Sequence, residues 1–287
     1  MKVLLTGASG FIGSAFCQHY GKLFDIETVS FQQEVKQINV SHVDVVVHLS
    51  ALVHRMEGAE KSAYYEANVN RTLSLAKRAK AAGVRQFLFM STVKVYGEEN
   101  EAPYSEQSPC HPKDPYGESK LEAEKALLAL AENTFKVAII RTPVVYGEGV
   151  KANILRLVEL TDEHRALPFG AIHNRRSMVY VGNLTHLVSE VIRQEKQGIF
   201  LAGDDTPLSA SELITQIAAA LGKTCILFPL FPLKTMLKHL KPQLFQRLYG
   251  DLYVDNAQTK AALELTNPYS TEEGIERMVA WYKAQNR

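Results

Sequence analysis

Tyr116 and Lys120 stand four residues apart in the segment Asp114-Pro115-Tyr116-Gly117-Glu118-Ser119-Lys120. On a helix that spacing puts a phenol and an ammonium on one face, able to share one site. A phenol, with a pKa of about 10, is a poor base near neutrality, but an adjacent cation favours the phenolate. A phenolate can take an alcohol's proton while hydride leaves the same carbon. The helix has a start signal of its own, since Asp114 is a candidate N-cap and Pro115 suits the first helical position. Upstream, a β-like run ends in Met90-Ser91-Thr92-Val93-Lys94-Val95-Tyr96-Gly97. The C-terminal ends of strands are where open α/β sheets bind ligands, so the Thr92 hydroxyl is a candidate to hold the reacting oxygen.

A second constellation lies near the start of the chain, in Thr6-Gly7-Ala8-Ser9-Gly10-Phe11-Ile12-Gly13. It follows an apolar run and opens a helical pattern, the context that turns a glycine triplet into a dinucleotide signal. The first glycine permits a tight turn, and the second lets a pyrophosphate approach the backbone. The third lets helix and strand pack closely, while the helix N-terminus attracts phosphate charge. Gly7, Gly10 and Gly13, with Phe11 and Ile12 between them, are therefore candidate cofactor residues. The second strand should end in a residue that reads the adenosine ribose, an acid for NAD or a nearby arginine for NADP. Here it runs Thr28-Val29-Ser30-Phe31-Gln32-Gln33, with neither. The choice between NAD and NADP is therefore open on these residues.

These residues need a scaffold. Apolar, β-branched runs at 2–6, 25–30, 44–49, 86–91, 136–141 and 198–202 alternate with helical patterns at 11–20, 61–82 and 115–131. Continuous runs such as Val45-Val46-Val47 suit strands covered on both faces, and the alternation predicts a doubly wound parallel α/β sheet of Rossmann type. Gly21 and Gly83 stand where C′ glycines would end two of the helices. Past residue 150 the pattern becomes helices between irregular stretches, a smaller, mostly helical lobe. Ser209 with Glu212 and Ser270 with Glu273 have capping-box spacing, placing helix starts near 210 and 271.

Composition narrows the function classes. The chain of 287 residues carries a formal charge of +1, too little for a nucleic-acid surface. Three scattered cysteines, Cys17, Cys110 and Cys225, give no metal spacing and fit a reducing compartment. No metal site is expected. Strand-like sequence from Lys2 leaves no room for a leader, and no apolar run spans a bilayer, so the expected location is cytoplasmic. The basic segment Lys234 to Lys241 reads as a solvated helix of the second lobe in preference to a membrane contact. His48, inside an apolar strand, reads as a core histidine. Cys110 reads as structural, for lack of a basic partner.

The motifs together resemble the extended short-chain dehydrogenase/reductase family, specifically its nucleotide-sugar epimerases and dehydratases. The resemblance rests on TGASGFIG at 6–13, VDVVVHLSA at 43–51, NVNRT at 68–72, STVKVYG at 91–97, YGESK at 116–120, RTPVVYGEG at 141–149 and RRSMVYVGNL at 175–184. It implies that Thr92, Tyr116 and Lys120 are catalytic, with Lys120 also on the nicotinamide ribose. It implies that Leu49, Ser50 and Ala51 line the cofactor, that Asn68 helps place the catalytic groups, and that Pro143 lies beside the nicotinamide. Asn153 and Arg176 would grip the substrate diphosphate, Leu167 and Phe169 would flank the base, and Lys94 is counted with the substrate residues. A guanidinium suits a diphosphate because its fork donates two hydrogen bonds. The expected division is a Rossmann domain of 1–147 and 179–202 and a nucleotide-sugar lobe of 148–178 and 203–287. By the resemblance the expected partner is a UDP-linked nucleotide sugar and the expected cofactor is NAD, with NADP not excluded, and a homodimer is allowed for.

The sequence also departs from the family pattern. Dehydratases of the family resemble Thr-Asp-Glu where this chain has Thr92-Val93-Lys94, and elimination of water needs an acid and a base that valine and lysine do not offer. Val144 replaces a substrate-binding asparagine, and Asn183 replaces an acid at the lobe junction. The leading expectation is a C4 epimerase acting on a UDP-hexose or UDP-N-acetylhexosamine. The alternatives are a 4-ketoreductase acting on a UDP-4-keto-6-deoxy-hexose, and a catalytically silent dinucleotide sensor.

Overall fold

A computed structural model describes residues 1–53, 60–229, 239–240 and 242–286. The basic segment 234–241 therefore lies outside the described residues except for 239–240. The chain opens with β1 (Lys2–Thr6), α1 (Phe11–Tyr20), β2 (Asp25–Val29) and β3 (Val45–His48). Helices α2 (Lys61–Tyr65) and α3 (Arg71–Ala81) follow, then β4 (Gln86–Thr92), α4 (Pro115–Leu128) and β5 (Lys136–Thr142). After β6 (Val144–Tyr146), α5 (Ala152–Glu163) and β7 (Ala166–Leu167) come β8 (Met178–Tyr180), α6 (Val181–Arg193) and β9 (Gly198–Leu201). The remainder is α7 (Ala210–Leu221), β10 (Ile226–Leu227), α8 (Pro242–Tyr249), α9 (Ala257–Leu263) and α10 (Thr271–Gln285).

Six parallel strands form the main sheet, in the order β2-β1-β3-β4-β5-β9. The alternation of side chains along each strand feeds two separate cores. Val3, Leu5, Val45, Val47, Leu88 and Ile140 face α1 and α6, where Phe16, Leu184, Val188 and Val191 cover them. Leu4, Val46, Phe87, Phe89, Val137 and Ile139 face α3 and α4, beneath Leu75, Ala79, Ala123 and Leu127. Each such side chain removed from water contributes about 1.5–3 kcal/mol, which is why the strands read as unbroken apolar runs. The order reverses at β1, with β2 on one side and β3 on the other, and ligands of open sheets bind at such a switch point.

A third core, around Tyr146, Val158, Met178, Ile217, Met278 and Val279, joins the later helices to the paired strands β6 and β8. Both capping boxes form as their spacing predicts. Two expectations change in detail. Gly83 takes the left-handed conformation (φ 80°), but Gly21 stays right-handed (φ −64°), because the chain turns on directly into the Lys22–Phe24 bend. The helix expected over 61–82 contains a π-helical turn, Glu66–Asn70, between α2 and α3. No helix among the described residues is long and apolar enough to cross a membrane.

Candidate active site

The glycine turn shows why its residues have no side chain. Gly7 has φ 75°, and a Cβ there would lie 2.9 Å from the amide nitrogen of Ser50. A Cβ on Gly13 would lie 2.2 Å from the Gly7 carbonyl oxygen, so α1 can start this close to β1 only with glycine at that place. The turn thus abuts Leu49 and Ser50 at the end of β3, and Ser50 N–H donates to Thr6 Oγ1 (3.3 Å). Gly10 is the N-cap of α1, with no side-chain cap and no acid in the first turn. A helix start of that kind suits a pyrophosphate. Leu49, Ser50 and Ala51 are half-buried beside it, Phe11 packs toward the third core, and Ile12 packs on the first.

Helix α4 begins on its predicted signal: Asp114 Oδ1 accepts from Gly117 N–H at 2.7 Å, with Pro115 in the first turn. Thr92 is the last residue of β4, and its Oγ1 accepts from Lys94 N–H (3.3 Å) to cap the 3-10 turn Val93–Val95. Gly117 packs so closely on that turn that a Cβ would sit 3.0 Å from the Lys94 carbonyl oxygen. One turn on, the Lys120 amine lies 3.9 Å from the centre of the Phe89 ring of β4. These contacts bring Thr92, Tyr116 and Lys120 to one end of the sheet.

Burial governs their charge states. It pushes the Lys120 amine down to about 7, with the Glu124 carboxylate opposing. It also pushes the half-buried Tyr116 phenol well above its ordinary value, helped by Asp114 and then Tyr64. In the chain alone, desolvation and the Asp114 charge oppose the phenolate that the Tyr-Lys spacing favours.

Asn68, in the π-helical turn, connects the two halves of the site. Its Oδ1 accepts from Leu52 N–H (2.8 Å), and its Nδ2 donates to Leu52 O and to Ser119 Oγ (both 3.0 Å). Ser119 Oγ in turn donates to Tyr116 O (2.8 Å). Pro143 is buried between β5 and β6, and Val144 beside it is exposed. Lys94, a substrate candidate, pairs with Asp114 Oδ2 (2.5 Å) and Glu98 Oε1 (2.9 Å).

The remaining substrate candidates lie in the stretch between β6 and β8. Asn153 is exposed in the first turn of α5, and Leu167 is buried in β7. Phe169 follows β7, with its carbonyl accepting from Ser211 Oγ (2.5 Å). Arg176 is half-buried and donates through Nη1 to Gly250 O (3.1 Å). Gly250, with Asn174 and Tyr249, lines a cavity of about 390 Å³. A second cavity of about 520 Å³ opens at Tyr96, Gly97 and Glu98, directly after the Thr92–Lys94 turn.

Sequence reasoning missed a buried network behind the site. Arg141 of β5 binds Glu124 of α4 (2.6 Å) and donates to Tyr96 Oη (2.7 Å), and Ser91 Oγ also donates to Glu124. An arginine inside the apolar strand VAIIRT was the available signal. His48 is fully buried between Thr6 Oγ1 (2.7 Å) and Thr72 Oγ1 (3.0 Å). Burial holds it down to about 3, so it stays neutral. Burial raises the Cys110 thiol, and Arg141, a basic partner that the sequence reading did not find, opposes the rise. Asn183 donates to Asp204 Oδ1 (2.8 Å) and to Tyr269 O (2.9 Å), so an amide donor works here where the family pattern has an acid. Among the described residues no group of three or more histidines, cysteines or acids could hold a metal.

Fold and site together define a Rossmann-type enzyme with a Tyr-Lys pair beside a dinucleotide turn. Residues 3–203 match the model of the NAD dependent epimerase/dehydratase family, and the chain belongs to that family. Among its relatives is the UDP-glucose 4-epimerase of Vibrio cholerae, 34% identical over 318 aligned positions that cover 99% of this chain and 97% of that protein. Another is the N-acetyl-alpha-D-glucosaminyl-diphospho-ditrans,octacis-undecaprenol 4-epimerase of Escherichia coli O157:H7, 30% identical and covering 77% of this chain and 72% of that one. Dehydratases are also among them, such as the mouse dTDP-D-glucose 4,6-dehydratase at 25% identity, covering 98% of this chain and 88% of that protein. The fold is shared with UDP-glucuronic acid 4-epimerase from Bacillus cereus in complex with NAD (TM-score 0.81, 21% identity, all of both chains).

Proposed function

We propose that this chain is an NAD-dependent C4 epimerase of a UDP-hexose or UDP-N-acetylhexosamine. The observation that carries the reading is the joint placement of Thr92, Tyr116 and Lys120 at the sheet end next to the Gly7–Gly13 turn. The residues fit a dinucleotide: Gly7 and Gly13 leave the backbone bare, and α1 offers an uncapped N-terminus. Once bound, the cofactor supplies a hydride acceptor that later returns the hydride. Thr92 holds the C4 hydroxyl and Tyr116 takes its proton, leaving a 4-keto sugar. The sugar turns over, and Tyr116 returns the proton as C4 is reduced on its other face. Lys120 binds the nicotinamide ribose, Asn68 fixes the turn of α4 that carries Tyr116, and Pro143 closes the site. Arg176 and Asn153 take the diphosphate, with Leu167 and Phe169 at the base. The names of the Vibrio and Escherichia relatives, both 4-epimerases of diphosphate-linked sugars, support this reading.

Dehydration is disfavoured because Val93 is buried and Lys94 is held by two carboxylates, so neither offers an acid to a leaving hydroxyl. The second reading, a 4-ketoreductase, draws on Ser30 to Gln33, which present no acid to an NAD ribose. A nucleotide-sugar panel distinguishes them. The expected result is interconversion of C4 epimers with no added cofactor, and a turnover lowered at least about a hundredfold in Tyr116→Phe with little change in sugar affinity. Stoichiometric NADPH oxidation with a 4-keto-6-deoxy sugar, and no epimerisation, would favour the ketoreductase. Wild-type turnover in folded Tyr116→Phe would remove Tyr116 from the chemistry.

A further inference from the structure

We propose that Lys94 is a positioning residue for Tyr116: it clamps the Asp114 carboxylate at the start of the catalytic helix and offsets the charge that carboxylate presents to the phenol. The inference rests on the reading of Tyr116 as the proton acceptor. Asp114 uses its two oxygens differently, Oδ1 to cap Gly117 N–H (2.7 Å) and Oδ2 to bind the Lys94 amine (2.5 Å). The pair is sheltered, with side-chain exposures of 23% for Lys94 and 18% for Asp114, so water screens it less than a surface pair. Lys94 is also joined to the other catalytic element, since its N–H donates to Thr92 Oγ1 and its carbonyl lies against Gly117. One lysine therefore fixes the end of β4 against the first turn of α4.

Electrostatics give that clamp a functional reading. Asp114 lies two residues before Tyr116 and is the largest charge opposing its ionisation. Tyr64 of α2 faces the phenol at 6.4 Å between ring centres and acts the same way. Near Lys94, Glu98 is a second acid. Farther along α4, Glu118 is paired with Lys61, and Glu124, which faces Lys120, is paired with Arg141. Removal of the lysine leaves the Asp114 charge that bears on the phenol unopposed by the Lys94 cation.

The test is the pH profile of turnover for Lys94→Met, Lys94→Arg, Asp114→Asn and the double variant Lys94→Met/Asp114→Asn. Lys94→Met should move the rising limb of kcat to higher pH by about half to one unit, a three- to tenfold loss near neutrality that disappears at high pH. Lys94→Arg should keep the wild-type limb. Asp114→Asn, which preserves the cap, should move the limb to lower pH, and the double variant should return it toward wild type. A loss in Lys94→Met that is equal at every pH and is not rescued by arginine would overturn the proposal. If the wild-type protein turns over no nucleotide sugar, the epimerase reading fails separately. The phenol is then titrated by its ultraviolet absorbance in the dinucleotide-loaded protein, taking each variant minus its Tyr116→Phe counterpart. A Tyr116 titration that does not move with Lys94→Met overturns the proposal by that route.

Discussion

Lys120 carries its amine into a buried place against the Phe89 ring, and the cost of that desolvation lowers its pKa from 10.5 to about 7. An unfolded chain holds the same proton up to its ordinary pKa, so between about 7 and 10.5 the unfolded state binds more protons than the folded one. The contribution to stability therefore rises with pH across that window, and the full penalty applies below it. By the pKa difference it is on the order of several kcal/mol. Lys120→Met should accordingly melt higher than the wild type at pH 6, with the gap narrowing toward pH 10, while turnover is lost. Thermal unfolding of the dinucleotide-free protein over that pH range measures this, and equal melting shifts at both ends would refute it. A binding site that destabilises its own fold is the usual cost of function.

Among the elements, the π-helical turn Glu66–Asn70 has the clearest effect, because it places Asn68 where one amide can hold both Leu52 and Ser119. Asn68→Ala leaves the half-buried Leu52 N–H without this partner, a loss of about 1 kcal/mol. It should also weaken dinucleotide binding, since the loop carrying Leu49 to Ala51 loses its tie. Urea denaturation and a cofactor titration read the two effects, and an unchanged cofactor affinity would separate Asn68 from the cofactor loop. The elements themselves were legible wherever the signal is local. The apolar strands, the Asp114-Pro115 start and both capping boxes lie within a few residues of what they specify. The π-helical turn left no trace, since one added residue barely disturbs a 3.6-residue period. The pairing of Lys94 was not legible for a related reason: its partner Asp114 is 20 residues away, and only the packing of β4 on α4 brings them together.

At the scale of the molecule, Asp204 holds the junction between the sheet and the later helices. Its carboxylate accepts from Tyr146 Oη (2.6 Å), Tyr180 N–H (3.1 Å) and Asn183 Nδ2 (2.8 Å), while Tyr146 and Asn183 reach on to Thr271 and Tyr269. Asp204→Ala should strip Tyr180 N–H of its side-chain acceptor and leave Tyr146 and Asn183 only their bonds to Thr271 and Tyr269. Calorimetry should then show one unfolding transition replaced by two, the sheet melting apart from the later helices. A single transition, merely shifted, would mean that other contacts carry the coupling.

The same junction sets an order of events during synthesis on the ribosome. All six strands of the main sheet have been made once Leu201 has emerged, and α6 with them. The partners around Asp204 are complete only when Tyr269 and Thr271 have followed. For the time it takes to translate that stretch, the β6–β8 pair is exposed along the surface that Tyr146 and Tyr180 later share with α10, where Ile275, Met278 and Val279 belong. A stalled or truncated chain ending between Leu201 and Tyr269 should therefore be a client for chaperones that bind apolar surface, whereas the finished chain should not.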